Sequence, residues 1–393
     1  MRTSDIEFSL CGHTPLDKKS AHGAESALTE KSSMSAQRTP DTLPAHQKSA
    51  IGAQPASVRK RPLCAVLVLI ALLLAANALL CFLLEPFRGS SEEMWRGFAA
   101  DAQIDTVIAG TSQGLSGIDP SALDEALGSH SYNMSTNMQC FANSLDAIET
   151  AYEQRGIKRA VLVLDHEMLD AQRYDNFRAD ASFHHGKEAI LPLSGKIKDA
   201  LSFVTDPSFI GKPLSITYWF PWIYNRSTDI SLNVREKMAG RVLDETNHRL
   251  ANGFEPSDDV VDQSIPFITM DEADAWDAQN PDLDTLSLSD ENRAVLEQIV
   301  QFCRTHAITL YAVIAPYPNW LNIYNKDSYL AMDDTLSGIF SGDGVSFTDY
   351  NLTSKEDLPL TTENFKDVGH MNTKGAEIFS SFLGEQIKEA ENN

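Results

Sequence analysis

The stretch IDTVIAGTSQG, Ile104 to Gly114, is where the architecture becomes readable. Ile104, Val107, Ile108 and Ala109 make a short apolar run that breaks into Gly110-Thr111-Ser112. An apolar run of this length, closed by Gly and hydroxyl residues, predicts a buried strand entering a tight turn. DPSALDEALG follows, with Asp119 as cap, Pro120 in the first helical position and Gly128 as the stop, which predicts a helix. HSYNMS predicts a second strand. CFANSLDAIETAYEQRG carries apolar residues at 141, 145, 148 and 152, the helical period, and ends at Gly156. KRAVLVLDHEML is then a β-branched and Leu run with polar residues at its end. The order β-α-β-α-β implies a mostly parallel sheet covered by helices on both faces, a three-layer α/β/α arrangement.

Further along, the alternation lapses. From about 170 to 285 the sequence offers polar loops, Pro breaks and one aromatic cluster, ITYWFPWIYNRS. It resumes with a helix in DENRAVLEQIVQFCRTHA, a fourth strand in ITLYAVIAP, a fifth in VSFTDYN and a last helix in GAEIFSSFLGEQIKEA. One domain over residues 95–393 with a long insertion explains this better than two domains. MWRGFAADAQ, ahead of the first strand, reads as a stalk or a short helix.

Before that domain, LCAVLVLIALLLAANALLCFLL, Leu63 to Leu84, runs for 22 residues without a charge, and Asn77 is its only strongly polar member. At about 1.5 Å per residue it reaches roughly 33 Å, enough for a bilayer core of about 30 Å. Arg59, Lys60 and Arg61 on one side against Glu85, Arg88, Glu92 and Glu93 on the other place the N-terminus in the cytoplasm and the domain outside. Residues 1–58, rich in Ser, Ala, Thr, Gln, His and Pro, read as a disordered cytoplasmic tail. The net charge is −23; nine Lys/Arg and six Asp/Glu precede residue 63, leaving 23 basic and 49 acidic residues beyond. A domain that acidic repels phosphate backbones, which argues against nucleic-acid binding. Cys140 and Cys303 are the only cysteines in it, read as buried small hydrophobes in preference to a disulfide.

In open parallel sheets, ligands bind beyond the carboxyl ends of the strands. Ser112 falls there, after the first strand. Asp367 and His370, in NFKDVGHMNTKGAEIF (364–379), fall there too, after the fifth. A serine hydroxyl becomes nucleophilic when a positioned imidazole accepts its proton, and a carboxylate fixes the tautomer of that imidazole. Ser112, His370 and Asp367 are therefore the candidate catalytic residues. Asp165, His166 and Glu167, after the third strand, read as a polar strand end rather than metal ligands, and no metal is expected. His184 and His185 read as a solvated pair in a polar loop.

The early GTSQ block and the late DVGHMNTKGA block together resemble the SGNH (GDSL-like) hydrolase superfamily. The likeness is to its membrane-anchored, extracytoplasmic branch, which includes teichoic acid D-alanine transfer and alginate O-acetylation proteins. It covers about residues 104–165 and 290–390. The resemblance implies a serine acyltransferase or esterase acting on O-acyl groups of cell-envelope polymers, with no cofactor. It also implies a multi-pass membrane O-acyltransferase as a partner and an envelope polysaccharide or teichoic-acid-like polymer as substrate. Two blocks depart from the family. Thr136-Asn137 stands where a Gly is usual, and Leu164-Asp165-His166-Glu167 stands where Gly-x-Asn-Asp is usual. The oxyanion hole then falls to the Ser112 N–H, with Asn137 or His166 as side-chain candidates. Trp219, Trp222 and Arg226 are candidate substrate contacts, and the aromatic cluster around them has three readings: core packing, stacking on sugars, or a lipid-interface belt.

Overall fold

The computed structural model describes residues 60–85, 90–212, 215–239, 250–261, 268, 270–318, 320–353 and 356–392. The tail expected over 1–58 lies outside them.

Strand β1 (Thr106–Gly110) is buried along its whole length, as its apolar run predicts, and pairs in parallel on both sides. Its neighbours are β2 (Ser131–Asn133) and β3 (Arg159–Leu164). β4 (Thr309–Ile314) and β5 (Val345–Asp349) extend the sheet to the order β2-β1-β3-β4-β5, all parallel. Side chains alternate across the sheet, because successive Cβ atoms point to opposite faces. Ala160, Leu162 and Leu164 of β3 enter one core, while Val161 and Val163 enter the other. Helices close both faces of β1, β3 and β4, which is why these strands show no polar alternation, whereas the edge strand β5 alternates, with Ser346 and Thr348 exposed.

Along the chain, α1 (Lys60–Leu84) comes first, and its Leu63–Leu84 stretch, of mean hydropathy 2.9, is long and apolar enough to cross a membrane. α2 (Ser90–Ala100) is a packed helix and not a stalk: Met94, Trp95 and Phe98 are fully buried. Arg155 donates to the carbonyls of Phe98 and Asp101 at its end. The short α3 (Ser112–Gly117) follows β1, and α4 (Pro120–Leu127) starts on Asp119, whose side chain accepts from Ser121 N, and stops at Gly128 with φ 77°. α5 (Phe141–Arg155) stops at Gly156, φ 66°. Both glycines hold left-handed conformations that a Cβ disfavours. α6 (His166–Leu169) is a single turn after β3.

Among its described residues, the region from 170 to 285 holds several helices as well as loops. It contains α7 (Phe177–Glu188), α8 (Leu193–Val204), α9 (Pro221–Tyr224), α10 (Ile230–Met238) and α11 (Ala273–Gln279). α7 escaped the periodicity because its inward face is half polar: Asp180 and His184 are buried beside Phe177, Ala181 and Phe183. Arg173 holds Asp180 at 2.6 Å and Asp206 at 2.7 Å, so the carboxylates are paired where they are buried. Phe177, Phe203, Phe209 and Tyr218 form a small core of their own. α12 (Asp290–Thr305), capped by Ser289, buries Leu296, Ile299, Val300 and Cys303. α13 (Lys326–Ile339) and α14 (Thr373–Asn392) complete the fold, α14 burying Phe379, Leu383 and Ile387 on α4's side of the sheet. Cys140 and Cys303 are free buried thiols, and burial pushes each up to about 12.

Candidate active site

Ser112 opens α3 directly at the end of β1. The preceding residue builds the turn. Thr111 is extended (φ −82°, ψ −163°), and its Oγ1 accepts from Gln113 N at 3.2 Å as the helix cap. The same hydroxyl donates to Asp165 Oδ2 at 2.8 Å. Asp165, buried after β3, also accepts from Tyr317 OH (3.0 Å) and Glu167 N (3.0 Å) through Oδ1. One carboxylate thus ties the ends of β1, β3 and β4 together beneath Ser112. Gly110 is required one step earlier: a Cβ there would lie 2.4 Å from Val163 O.

The opposing loop is a small hairpin. Phe365 and Met371, both 2% exposed, bridge in antiparallel fashion, and Lys366 N donates to His370 O at 2.9 Å. Asp367, Val368 and Gly369 form its tip. Asn372 closes the base, donating to Asp259 O and Glu363 O while its Oδ1 accepts from Gly375 N at the start of α14. Two contacts anchor the tip to α3: Gln113 Nε2 donates to Gly369 O, and Lys366 Nζ donates to Ser116 Oγ at 2.9 Å.

These elements bring together residues 258 positions apart. His370 Nε2 lies 2.8 Å from Ser112 Oγ. His370 Nδ1 lies 2.9 Å from Asp367 Oδ1 and 3.1 Å from Oδ2. A carboxylate only accepts, so Nδ1 carries the ring proton and Nε2 is left to accept from the serine hydroxyl. Burial alone would raise the Asp367 carboxyl. The hydrogen bond and charge of His370, with Gly369 N–H at 2.8 Å, outweigh it and hold the group below the ordinary carboxylate range. Asp367 nonetheless keeps 48% of its side chain exposed, and His370 27%. The Glu167 carboxyl is pushed up by desolvation and by Asp165, against the pull of His370.

The other sequence candidates are placed elsewhere. Asn137 sits exposed in the turn after β2. His166 is 4% exposed and packs against Tyr317, Tyr324 and Tyr329, with Nδ1 unpartnered. Burial brings its pKa down to about 4, and no hydrogen bond joins it to Ser112 or His370. Trp222 Nε1 donates to Asn77 Oδ1 of α1, and the backbone carbonyl of Trp219 accepts from Asn77 Nδ2, so this turn joins α1. Arg226 is exposed beside them. The pair His184–His185 is not a solvated loop: His184 Nδ1 faces Asp199 at 3.1 Å, and His185 stacks on Tyr218. Asp146, His184 and Asp199 have ligand atoms within 4.8 Å of one another. Lys187 Nζ, at 2.5 Å from Asp146 and 3.8 Å from Asp199, already supplies a cation there.

The contributions of Asp165, Gln113 and Lys366 escaped the sequence reading. Only Asp165 left a trace, as a carboxylate at a strand's carboxyl end. Beside the hairpin, an apolar cleft of about 620 Å³ is lined by Pro316, Tyr317, Trp320, Tyr350, Leu358 and Phe365. It shares Tyr317 with the Asp165 network and Phe365 with the hairpin. Compared with known proteins, the chain matches no family model and no curated protein.

Proposed function

We propose that the protein is a membrane-tethered serine acyltransferase or esterase of the SGNH type, acting on O-acyl groups of cell-envelope polymers. The observation that carries this reading is the Ser112–His370–Asp367 relay, with contacts of 2.8 and 2.9 Å. The parallel sheet, with the serine after its first strand and the His–Asp pair after its last, supports a three-layer SGNH arrangement. α1 serves as the anchor, with the N-terminus cytoplasmic and the site outside. A multi-pass membrane O-acyltransferase is the proposed donor partner.

In the reaction, Ser112 Oγ attacks the acyl carbonyl carbon while its proton passes to His370 Nε2. Asp367 holds the ring and stabilises the imidazolium. The Ser112 N–H, one of the donors that a helix start leaves without an intrahelical partner, faces the developing oxyanion. As the tetrahedral species collapses, the C–O bond to the leaving alcohol breaks and His370 returns the proton to that oxygen. An envelope hydroxyl, or water, then gives its proton to His370, attacks the acyl-serine and releases Ser112.

A catalytically inactive SGNH-like protein that binds glycan or scaffolds a complex is the second reading. One observation favours it: His166 is buried among tyrosines and offers no donor at the serine. Labelling the full chain with a fluorophosphonate separates the two. Label on the parent, lost in Ser112→Ala and strongly reduced in His370→Ala, supports the enzyme. A parent that takes no label and cleaves no simple acetyl ester supports the inactive reading, and label persisting in Ser112→Ala refutes the assignment of the nucleophile.

A further inference from the structure

Asn77 is the only strongly polar side chain between Leu63 and Leu84, and the insertion takes both ends of its amide. Nδ2 donates to Trp219 O at 3.0 Å, and Oδ1 accepts from Trp222 Nε1 at 2.8 Å. The end of α1 is held by the same segment. Ser227 N donates to Leu84 O, Asn233 Nδ2 to the carbonyls of Leu83 and Glu85, and Lys237 Nζ to those of Cys81, Phe82 and Glu85. These donors meet the carbonyls that a helix C-terminus leaves unpaired, with a cation where the helix dipole is negative.

The depth of this contact is informative. Asn77 lies seven residues before Leu84, about 10 Å along the helix axis. A bilayer core of about 30 Å spanned by Leu63–Leu84 therefore places Trp219 and Trp222 well inside one leaflet. The surface of the insertion fits that position. On α8, Leu193, Ile197 and Leu201 recur every four residues and are 73%, 53% and 50% exposed, while Ala200 and Phe203 are buried in the insertion's core. Ile216, Trp219 and Ile223 are 67%, 45% and 50% exposed. A helix apolar on both faces has a second apolar neighbour. Charge changes as well. Residues 193–238 carry six Lys/Arg against four Asp/Glu, in a chain whose remainder beyond residue 62 is strongly acidic.

From this geometry we infer that residues 193–238 form a monotopic element embedded in the leaflet that α1 enters last, with phospholipid as its ligand. Acyl chains pack on Ile197, Leu201, Ile216 and Ile223, and headgroup phosphates meet the exposed Lys198 and Arg226. Asn77 is then satisfied in hydrocarbon by a protein partner, and the site is held at a set height above the bilayer instead of swinging on a tether. The inference rests on the proposed role of α1 as a membrane anchor.

The test uses the full chain in nanodiscs of phosphatidylcholine carrying a diazirine near the acyl-chain terminus. Photolysis products are mapped by mass spectrometry. Carbene adducts are expected in 63–84 and in peptides containing 193–201 and 216–223, at least tenfold above those in α13 and α14. Adducts in 63–84 with none in 193–238 overturn the inference and leave the anchor standing. No adducts in 63–84 overturn the anchor and the inference with it. In Ile216→Glu/Ile223→Glu, adducts in 216–223 should fall at least tenfold while those in 63–84 persist; parent-level adducts in 216–223 would overturn the embedding.

Discussion

Replacing Asp367 with Asn removes a charge and leaves the shape of the side chain. Two effects then compete. An amide aimed wrongly at His370 would donate to Nδ1 and put the ring proton on Nε2, blocking proton transfer from Ser112. The hairpin opposes this. Asp367 Oδ1 accepts both from Gly369 N at 2.8 Å and from His370 Nδ1 at 2.9 Å, so the nearer of the two atoms facing the ring must stay an acceptor to satisfy the backbone, and the amide nitrogen takes the Oδ2 position at 3.1 Å. An Asn keeps its oxygen there, and the ring keeps its tautomer. What is lost is the attraction between carboxylate and imidazolium. For charges about 4 Å apart this is about 1 kcal/mol in bulk water and about 4 kcal/mol at the effective dielectric of a protein surface. With Asp367 at 48% exposure the intermediate value applies, about 2 kcal/mol, or roughly a 30-fold loss of rate. The assay is the second-order rate of fluorophosphonate labelling of the full chain at pH 8, Asp367→Asn against parent. A rate within twofold of the parent would show that the carboxylate has no part in the relay. A loss of about 10⁴, the size associated with a wrong tautomer, would refute the argument from Gly369.

Three further outcomes follow from the buried groups around the site. His166 titrates at about 4 when folded and near 6.5 when unfolded, so its contribution to stability is complete above pH 6.5 and is lost as pH falls toward 4. The full loss is about 3 kcal/mol. His166→Phe should flatten the decline in melting temperature between pH 6.5 and 4, and an unchanged acid slope would count against the neutral buried ring. Thr111→Val removes a helix cap and leaves Asp165 Oδ2 without its donor, a cost of about 2–4 kcal/mol. Thr111→Ser should recover most of the melting temperature and labelling rate, and a loss in Thr111→Ser equal to that in Thr111→Val would show that the hydroxyl is not what holds the turn. Gly110→Ala forces a Cβ against the Val163 carbonyl at 2.4 Å and should prevent stable folding. A parent-like melting temperature would show that β1 and β3 can separate, which the ladder between them opposes.

The sheet was legible because each strand is a short apolar run with its own punctuation. Val107–Gly110 ends in a turn, and α4 announces itself through Asp119, Pro120 and Gly128. The convergence of Ser112 with His370 followed from topology: parallel strands deliver every following loop to the same edge. The insertion was not legible, because α7 buries Asp180 and His184 within an ion network and so lacks an apolar period. The aromatic cluster was readable as aromatic but not as placed. Tyr218 is core, whereas Trp222 reaches Asn77, and adjacent rings on a short turn give no periodicity that would divide them. Asp165 was visible only as a polar residue, since two of its three donors, Thr111 and Tyr317, come from turns distant in sequence.

The position of His370 does not depend on its bond to Ser112. The hairpin is fixed by buried Phe365 and Met371, by the Lys366–His370 backbone bond and by Asn372 at its base. Gln113 to Gly369 O and Lys366 to Ser116 Oγ then bind it to α3 beside the serine. Ser112 itself is held by Thr111, and through Thr111 by Asp165. The two halves of the relay are therefore oriented by separate networks that meet at one hydrogen bond of 2.8 Å. For the proposed acyl transfer, such an arrangement has its geometry set in advance, as proton transfer to a fixed acceptor requires. It also separates chemistry from stability: Ser112→Ala removes only the bond where the networks meet, and leaves the hairpin, the Asp165 hub and the Gln113 contact to hold the same loop in place.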